Sequence, residues 1–184
     1  MDAVRHFKEL SKARLKTLRA SGDTGLGLQQ AQHQVALDAG YRSWSALLNA
    51  GEPDIQLAAV MEREPQLHEF GFDVGAFVRT ERERRDDFIN WRAELRASFE
   101  HVEEIRLWLV QHIEPRQTIN MGAGSYHLKH LAEEDLGGYV ANGELIAAAI
   151  IVGYAYRHGS GDSLNATFAM SERSIKALRR RLRP

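Results

Sequence analysis

The apolar positions of this chain recur at helical spacing through most of its length. Val4, Phe7 and Leu10, with Leu15 and Leu18 beyond them, sit three to five residues apart with basic residues between, which predicts an amphipathic helix over 3–20. Ser21 to Gly27 has the composition of a loop. A second helix is expected over about 29–39, with Ala31, Val35 and Ala36 on one side and Gly40 placed to end it. Ser43 stands where an N-cap belongs, ahead of a short helix with Trp44, Leu47 and Leu48 on its apolar face. One helix over 54–63 fits between Pro53 and Pro65. The stretch with Phe70, Phe72 and Phe77 is too apolar for a free linker and should pack on the helix that follows.

From Arg79 to Glu114 there is no Gly or Pro. Phe88, Leu95, Val102 and Leu109 lie seven apart, and Trp91, Ser98, Ile105 and His112 form the interleaved series. This pattern predicts one long helix of about 50 Å over 79–113, its charged first turns (79–87) projecting into solvent. Its seam has two readings: packing against the rest of the chain, or a homodimer through 88–112.

Pro115 to Ser125 reads as a loop, with Ser125 capping a helix whose apolar side is Leu128, Leu131, Ala132 and Leu136. Gly137 and Gly138 end it. Asn142 is placed to cap an apolar helix running to about Tyr156, which should be buried because it is apolar nearly all round. Residues 157–169 read as another loop, and Ser171 as the cap of a final helix over 172–182. The expected fold is therefore all-α. It has a three-helix module at 1–50, a transition segment at 51–78, and the long helix with a C-terminal helical module at 79–184.

Composition removes several classes of function. The chain has 184 residues with no Cys, which excludes disulfide scaffolds, cysteine nucleophiles and thiolate zinc sites. The first residues show no apolar signal region, and the longest apolar run, Leu145 to Tyr156, is too short to span a bilayer as a helix. A cytoplasmic protein without a membrane partner is the expectation. The formal net charge of −1 hides an asymmetry. Residues 1–20 hold six Lys and Arg against two acidic residues, and residues 172–184 hold Arg173, Lys176, Arg179, Arg180, Arg181 and Arg183 against Glu172 alone. Such ends can neutralise phosphates, or can simply be solvated faces whose cations suit helix C-termini.

Two resemblances follow from particular phrases. Residues 13–50, with a Leu-rich helix, a Gln-Ala helix and the ending Gly40, Tyr41, Ser43, Trp44, Leu47, resemble the small helical domain called glyoxalase-related. That resemblance implies a helical packing module without catalytic residues, with Tyr41 and Trp44 as core anchors. Residues 118–178, through Ser125 to His130 and Asn142 to Ala149, resemble uncharacterised proteins of bacterial plasmids, integrative elements and phages. This implies an accessory role on a mobile element and names no activity.

Candidate chemistry is sparse. The stretch 125–154 has the cadence of a helix–turn–helix, but its second helix would offer Ala147, Ala148, Ile150, Ile151 and Val152 to the groove, so it cannot read bases. His127 and His130, with Glu133 or Glu134, share a helix face, yet His112 and His158 are only guesses for the remaining ligands a zinc site needs. The loop from Asn120 to Ser125 lacks the lysine of a phosphate-binding loop, and Ser125, His127 and Asp135 have no nucleophile elbow. The expectation is a non-enzymatic binding protein without cofactor or metal. It would contact nucleic acid through its basic terminal helices, chiefly Arg173, Lys176, Arg179, Arg180, Arg181 and Arg183. The alternative is a protein-binding inhibitor or antitoxin-like adaptor, for example against a host defence complex such as CRISPR, using 79–87 and the aromatic segment 70–77.

Overall fold

The structure, a computed structural model, describes residues 2–22, 25–72, 80–161 and 163–183. Among them are nine helices and two small two-stranded sheets, an all-α architecture. The chain forms two compact units, Met1–Arg63 and Glu64–Pro184. The boundary falls inside the 51–78 stretch.

The first unit holds α1 (Ala3–Ala20), α2 (Leu28–Asp38), α3 (Trp44–Leu48) and α4 (Glu52–Arg63). Asp2 caps α1 by accepting from the Arg5 N–H at 2.9 Å, and Ser43 caps α3 by accepting from that of Ala46 at 3.0 Å. Gly40 takes φ +84° just past α2, where a side chain would be strained. Phe7, Val35, Ala36, Leu47, Ile55, Ala58 and Ala59 form the core, and Tyr41 and Trp44 pack against it half-buried. The basic residues of α1 are partly neutralised, Arg14 by Asp38 and Lys12 by Glu9.

The second unit is built around α8 (Asn142–Val152). Every residue from Asn142 to Ile150 is buried, as the apolar run requires. Helices α6 (Phe99–His112) and α7 (Ser125–Leu136) pack on it directly, α9 (Glu172–Leu182) lies against α6 and α7, and α5 (Glu81–Ala97) packs on the hairpin strand β1 (Leu67–His68). One hairpin pairs β1 with β2 (Gly71–Phe72), and another pairs β3 (Tyr156–His158) with β4 (Ala166–Phe168).

Four expectations need correcting. The long helix is two helices that meet at Ser98. There the Ser98 N–H and hydroxyl both donate to Leu95 O, at 3.2 and 3.0 Å, and this tight local turn interrupts the ladder. Along the seam, Leu95, Val102, Ile105 and Leu109 are buried in their own unit, while Phe88, Trp91, Ser98 and His112 are half-buried. Helix α8 ends at Val152 because Gly153 turns into the left-handed region at φ +99°, and Tyr156 starts a strand. The expected loop at 157–169 contains the β3–β4 hairpin, with Tyr156 opposite Phe168 and His158 opposite Ala166. Finally, Ser125 and Asn142 are not caps. Gly124 and Ala141 hold those positions, and both polar side chains turn inward to bind other segments.

The aromatic stretch after α4 does pack on the next helix. Buried His68 lies 5.1 Å from the Trp91 ring and 5.7 Å from that of Phe88. The Arg92 Nη1 donates to Leu67 O at 2.7 Å and Pro65 O at 2.8 Å, fastening the start of the hairpin to α5. Two glycines allow the hairpin to reach α8. A Cβ on Gly143 would stand 1.9 Å from His68 O, and one on Gly71 would stand 1.9 Å from Leu164 O. Residues 73–79, with Phe77, lie outside the described residues.

Candidate functional site

Helix α9 is amphipathic in the simplest way. Ser171 caps it by accepting from the Ser174 N–H at 3.4 Å, and Ile175 and Leu178 are its buried side. Arg173, Lys176, Arg180, Arg181 and Arg183 are exposed, and Arg179 is half-buried. Their surroundings differ. Arg181 binds Asp135, whose Oδ2 also accepts from Trp108 Nε1 at 2.7 Å. Arg183 pairs with Glu134 at 3.1 Å, and Lys176 with Glu172 at 3.2 Å. Arg173 and Arg180 make no ion pair among the described residues.

Arg179 is in a different position. Its Nη2 points at His127 Nε2, and its buried Nε has no hydrogen-bond partner. Among the described residues the His127 ring is the one hydrogen-bond partner of this guanidinium, and Glu172 interacts with it only through its charge. Burial depresses the His127 pKa, and the charges of Arg179, His130 and Arg183 depress it further. The neutral ring is therefore favoured, and it accepts from the arginine. Across α7 and α9, Arg183 is paired with Glu134 and His130 with Glu133, whereas Arg179 meets the His127 ring.

The other candidates are drawn into internal bonds. His130 Nδ1 is 2.6 Å from Glu133 Oε2, while His127 serves Arg179, so the two rings do not converge on one point. Among the described residues no group of three His, Asp or Glu could hold a metal ion. In the 120–125 loop, the Gly122 N–H goes to Asn120 Oδ1 at 3.0 Å and the Ala123 N–H to Asn120 O at 2.8 Å. Those donors are spent on the turn and not aimed at an anion. Ser125 Oγ accepts from the Ala166 N–H at 3.1 Å, and Asp135 is held by Trp108 and Arg181, so Ser125, His127 and Asp135 are each engaged elsewhere. Of the surface expected for a protein partner, Thr80 to Asp86 are exposed, Asp87 is half-buried and Phe70 borders a cleft, whereas Gly71 and Phe72 are buried in β2; residues 73–79 lie outside the described residues.

That cleft, of about 680 Å³, is the feature the sequence did not suggest. It lies within the second unit, where the β1–β2 turn, α5, α7, the start of α8 and the loop before β4 meet. Phe70, Trp91, Tyr126 and Tyr139 supply its aromatic lining, and Lys129 and Asn142 its polar groups. Asn142 ties the walls together: its Nδ2 donates to Phe70 O at 3.0 Å, Leu164 O at 3.1 Å and Asn165 Oδ1 at 3.2 Å. Lys129 Nζ donates to Glu133 Oε1 at 2.8 Å and Val140 O at 3.2 Å, and lies 5.0 Å from the centre of the Tyr139 ring. Five separate stretches of chain contribute, which is why no motif announced it. The one local sign was a pair of tyrosines outside the apolar face of α7, Tyr126 in its first turn and Tyr139 just past its end.

No described helix is long and apolar enough to cross a membrane. Comparison with family models, with curated proteins and with solved structures finds no match, so what the site can do rests on its geometry.

Proposed function

We propose that this chain is a non-enzymatic binding protein that contacts the phosphate backbone of nucleic acid through α9. Arg173, Arg179 and Arg180 are the principal contacts, and Lys176, Arg181 and Arg183 contribute from their existing ion pairs. The observation that carries this reading is Arg179: a half-buried cation with an unpartnered Nε, facing a neutral histidine where a carboxylate would ordinarily stand. A phosphate oxygen would satisfy that nitrogen, which is covered in this conformation and is reached only if the side chains around it part, and would give Arg179 an anionic partner. Nothing on this face selects a sequence, since phosphate contacts position a protein without reading bases. A cytoplasmic location in a bacterium belongs to the same proposal. So does an accessory role on a mobile element, which rests on the resemblance of residues 118–178 alone.

The test is fluorescence anisotropy of labelled oligonucleotides over a series of salt concentrations. The expected result is affinity that falls steeply with salt, with Arg179→Ala weakening binding and lowering the salt slope by about one. An anion beside His127 also raises its pKa, so binding should take up a proton and tighten as pH falls below neutrality. Absence of binding at low salt rejects the proposal.

A further inference from the structure

Three features place the aromatic cleft beside the phosphate-binding face and leave it chemically incomplete. First, its rings are bare. Phe70 is 38 % exposed, Tyr126 59 % and Tyr139 64 %, around one opening, although aromatic side chains of this size ordinarily bury most of their surface. Second, its polar groups have capacity to spare. Asn142 is only 7 % exposed, and its Oδ1 is buried without a partner. The amide cannot simply be turned over to satisfy it, because Nδ2 is surrounded by three oxygens and the reversed amide would set oxygen against oxygen. Lys129, also 7 % exposed, has three protons and two oxygen acceptors. Third, α7 carries both a ring of the cleft and the histidine that meets α9. Tyr126 is followed directly by His127, the partner of Arg179, and the His130 ring lies 4.6 Å from that of Tyr126, edge to face.

A flat ring with an N–H on its edge is the complement of this lining. Aromatic faces stack on any base, an unpartnered oxygen accepts from a base N–H, and an ammonium donates to a base acceptor. Within a duplex those ring faces are already stacked. We propose that the cleft takes one unstacked base of a single-stranded nucleic acid, held by the exposed aromatic rings and contacted by Asn142 Oδ1 and Lys129 Nζ, while the adjoining phosphates lie on α9. Oδ1 is covered in this conformation, so contact with it requires the side chains of the cleft to part. This inference rests on the phosphate-binding reading of α9 and adds the strandedness of the ligand and a place for its base.

The experiment compares three ligands on the full chain by anisotropy: a single-stranded 12-mer, an abasic strand of the same length and charge, and the corresponding duplex. Tyr126→Ala with Tyr139→Ala removes the two most exposed rings with little risk to folding, and Tyr139→Phe keeps its stacking face. The base-bearing strand should bind at least tenfold tighter than the abasic strand and the duplex. The double alanine variant should weaken it by roughly fivefold or more, towards the abasic level, and Tyr139→Phe should bind as the parent does. Equal affinity for base-bearing and abasic strands overturns the cleft proposal; if that common binding is still lost with Arg179→Ala, the α9 reading survives. Failure of all three ligands at low salt overturns both. Adenosine monophosphate binding as tightly as the strand, and indifferent to α9 substitutions, would make the cleft a mononucleotide site and likewise overturn the proposal.

Discussion

Helices α8 and α9 are each eleven residues long and belong to the same unit, yet they do opposite work. In α8 the first nine residues are buried, with no polar face at all. In α9 only Ile175 and Leu178 are buried, and four of the other nine residues are arginine. A helix that is apolar all round can only be an interior support, because no orientation leaves it a wet side. A helix with one narrow apolar stripe needs only that stripe for anchorage and can give its cations to a partner. The contrast also divides the polar residues. Those at the start of α8, Asn142 and Glu144, bind other segments of the unit: Asn142 the hairpins, and Glu144 the Ala141 N–H at 2.9 Å and His101 Nδ1 at 3.0 Å. Two of the cations on α9, Arg173 and Arg180, have no ion pair among the described residues, and Arg179 hydrogen-bonds the His127 ring.

The largest expected effect comes from opening a void against the interior helix. Leu145→Ala should lower the stability of the second unit by about 2–5 kcal/mol, read by urea denaturation, because close packing leaves little room for collapse. Next comes Asn142→Ala, which strips Phe70 O of its donor; Leu164 O keeps the Phe72 N–H at 3.0 Å. A loss of about 1–3 kcal/mol is expected. A loss no larger than that of an exposed alanine substitution would show that the hairpin is not held by Asn142.

A smaller effect depends on pH. Burial, a hydrogen bond with Glu94 and the charges of Glu94 and Glu144 push Glu69 up to about 7. The native state therefore holds a proton that the unfolded chain releases near 4.5. The stability this contributes is full below the unfolded value and is lost as pH rises through the native one. Glu69→Gln should accordingly match the parent in acid and exceed it in stability above neutrality, with a flatter profile across that interval. Parallel profiles for the two proteins would mean that Glu69 does not titrate as argued.

Much of the fold was legible because its elements announce themselves locally. Ser171 and the basic last turn bound α9 where the sequence placed it, Ser43 caps α3, and Gly137 ends α7 at φ +76°. The burial of residues 142–150 followed from their composition. What the sequence concealed depends on distant partners. Ser125 and Asn142 stand one residue inside the positions a cap would take, and only the approach of Asn165, Leu164 and Phe70 shows why both are polar. The β3–β4 hairpin has three residues a side, too few for an alternating pattern to register. Ser98 was visible as one of two polar members, with His112, of the interleaved series, but its hydroxyl competes for a carbonyl only in a chain already helical. Of the candidate site, the basic residues of α9 could be read directly. Which of them already have carboxylate partners could not, because Glu134 and Asp135 lie on another helix.

The account turns on the claim that α8 holds the unit together while α9 touches the ligand, and one double substitution separates the two roles. Arg173→Glu with Arg180→Glu alters exposed side chains without ion pairs and should change stability by no more than about 0.5 kcal/mol. The same protein should lose most of its affinity for a single-stranded oligonucleotide at low salt, measured by anisotropy beside the parent. A folded double variant that binds as the parent does would contradict the account.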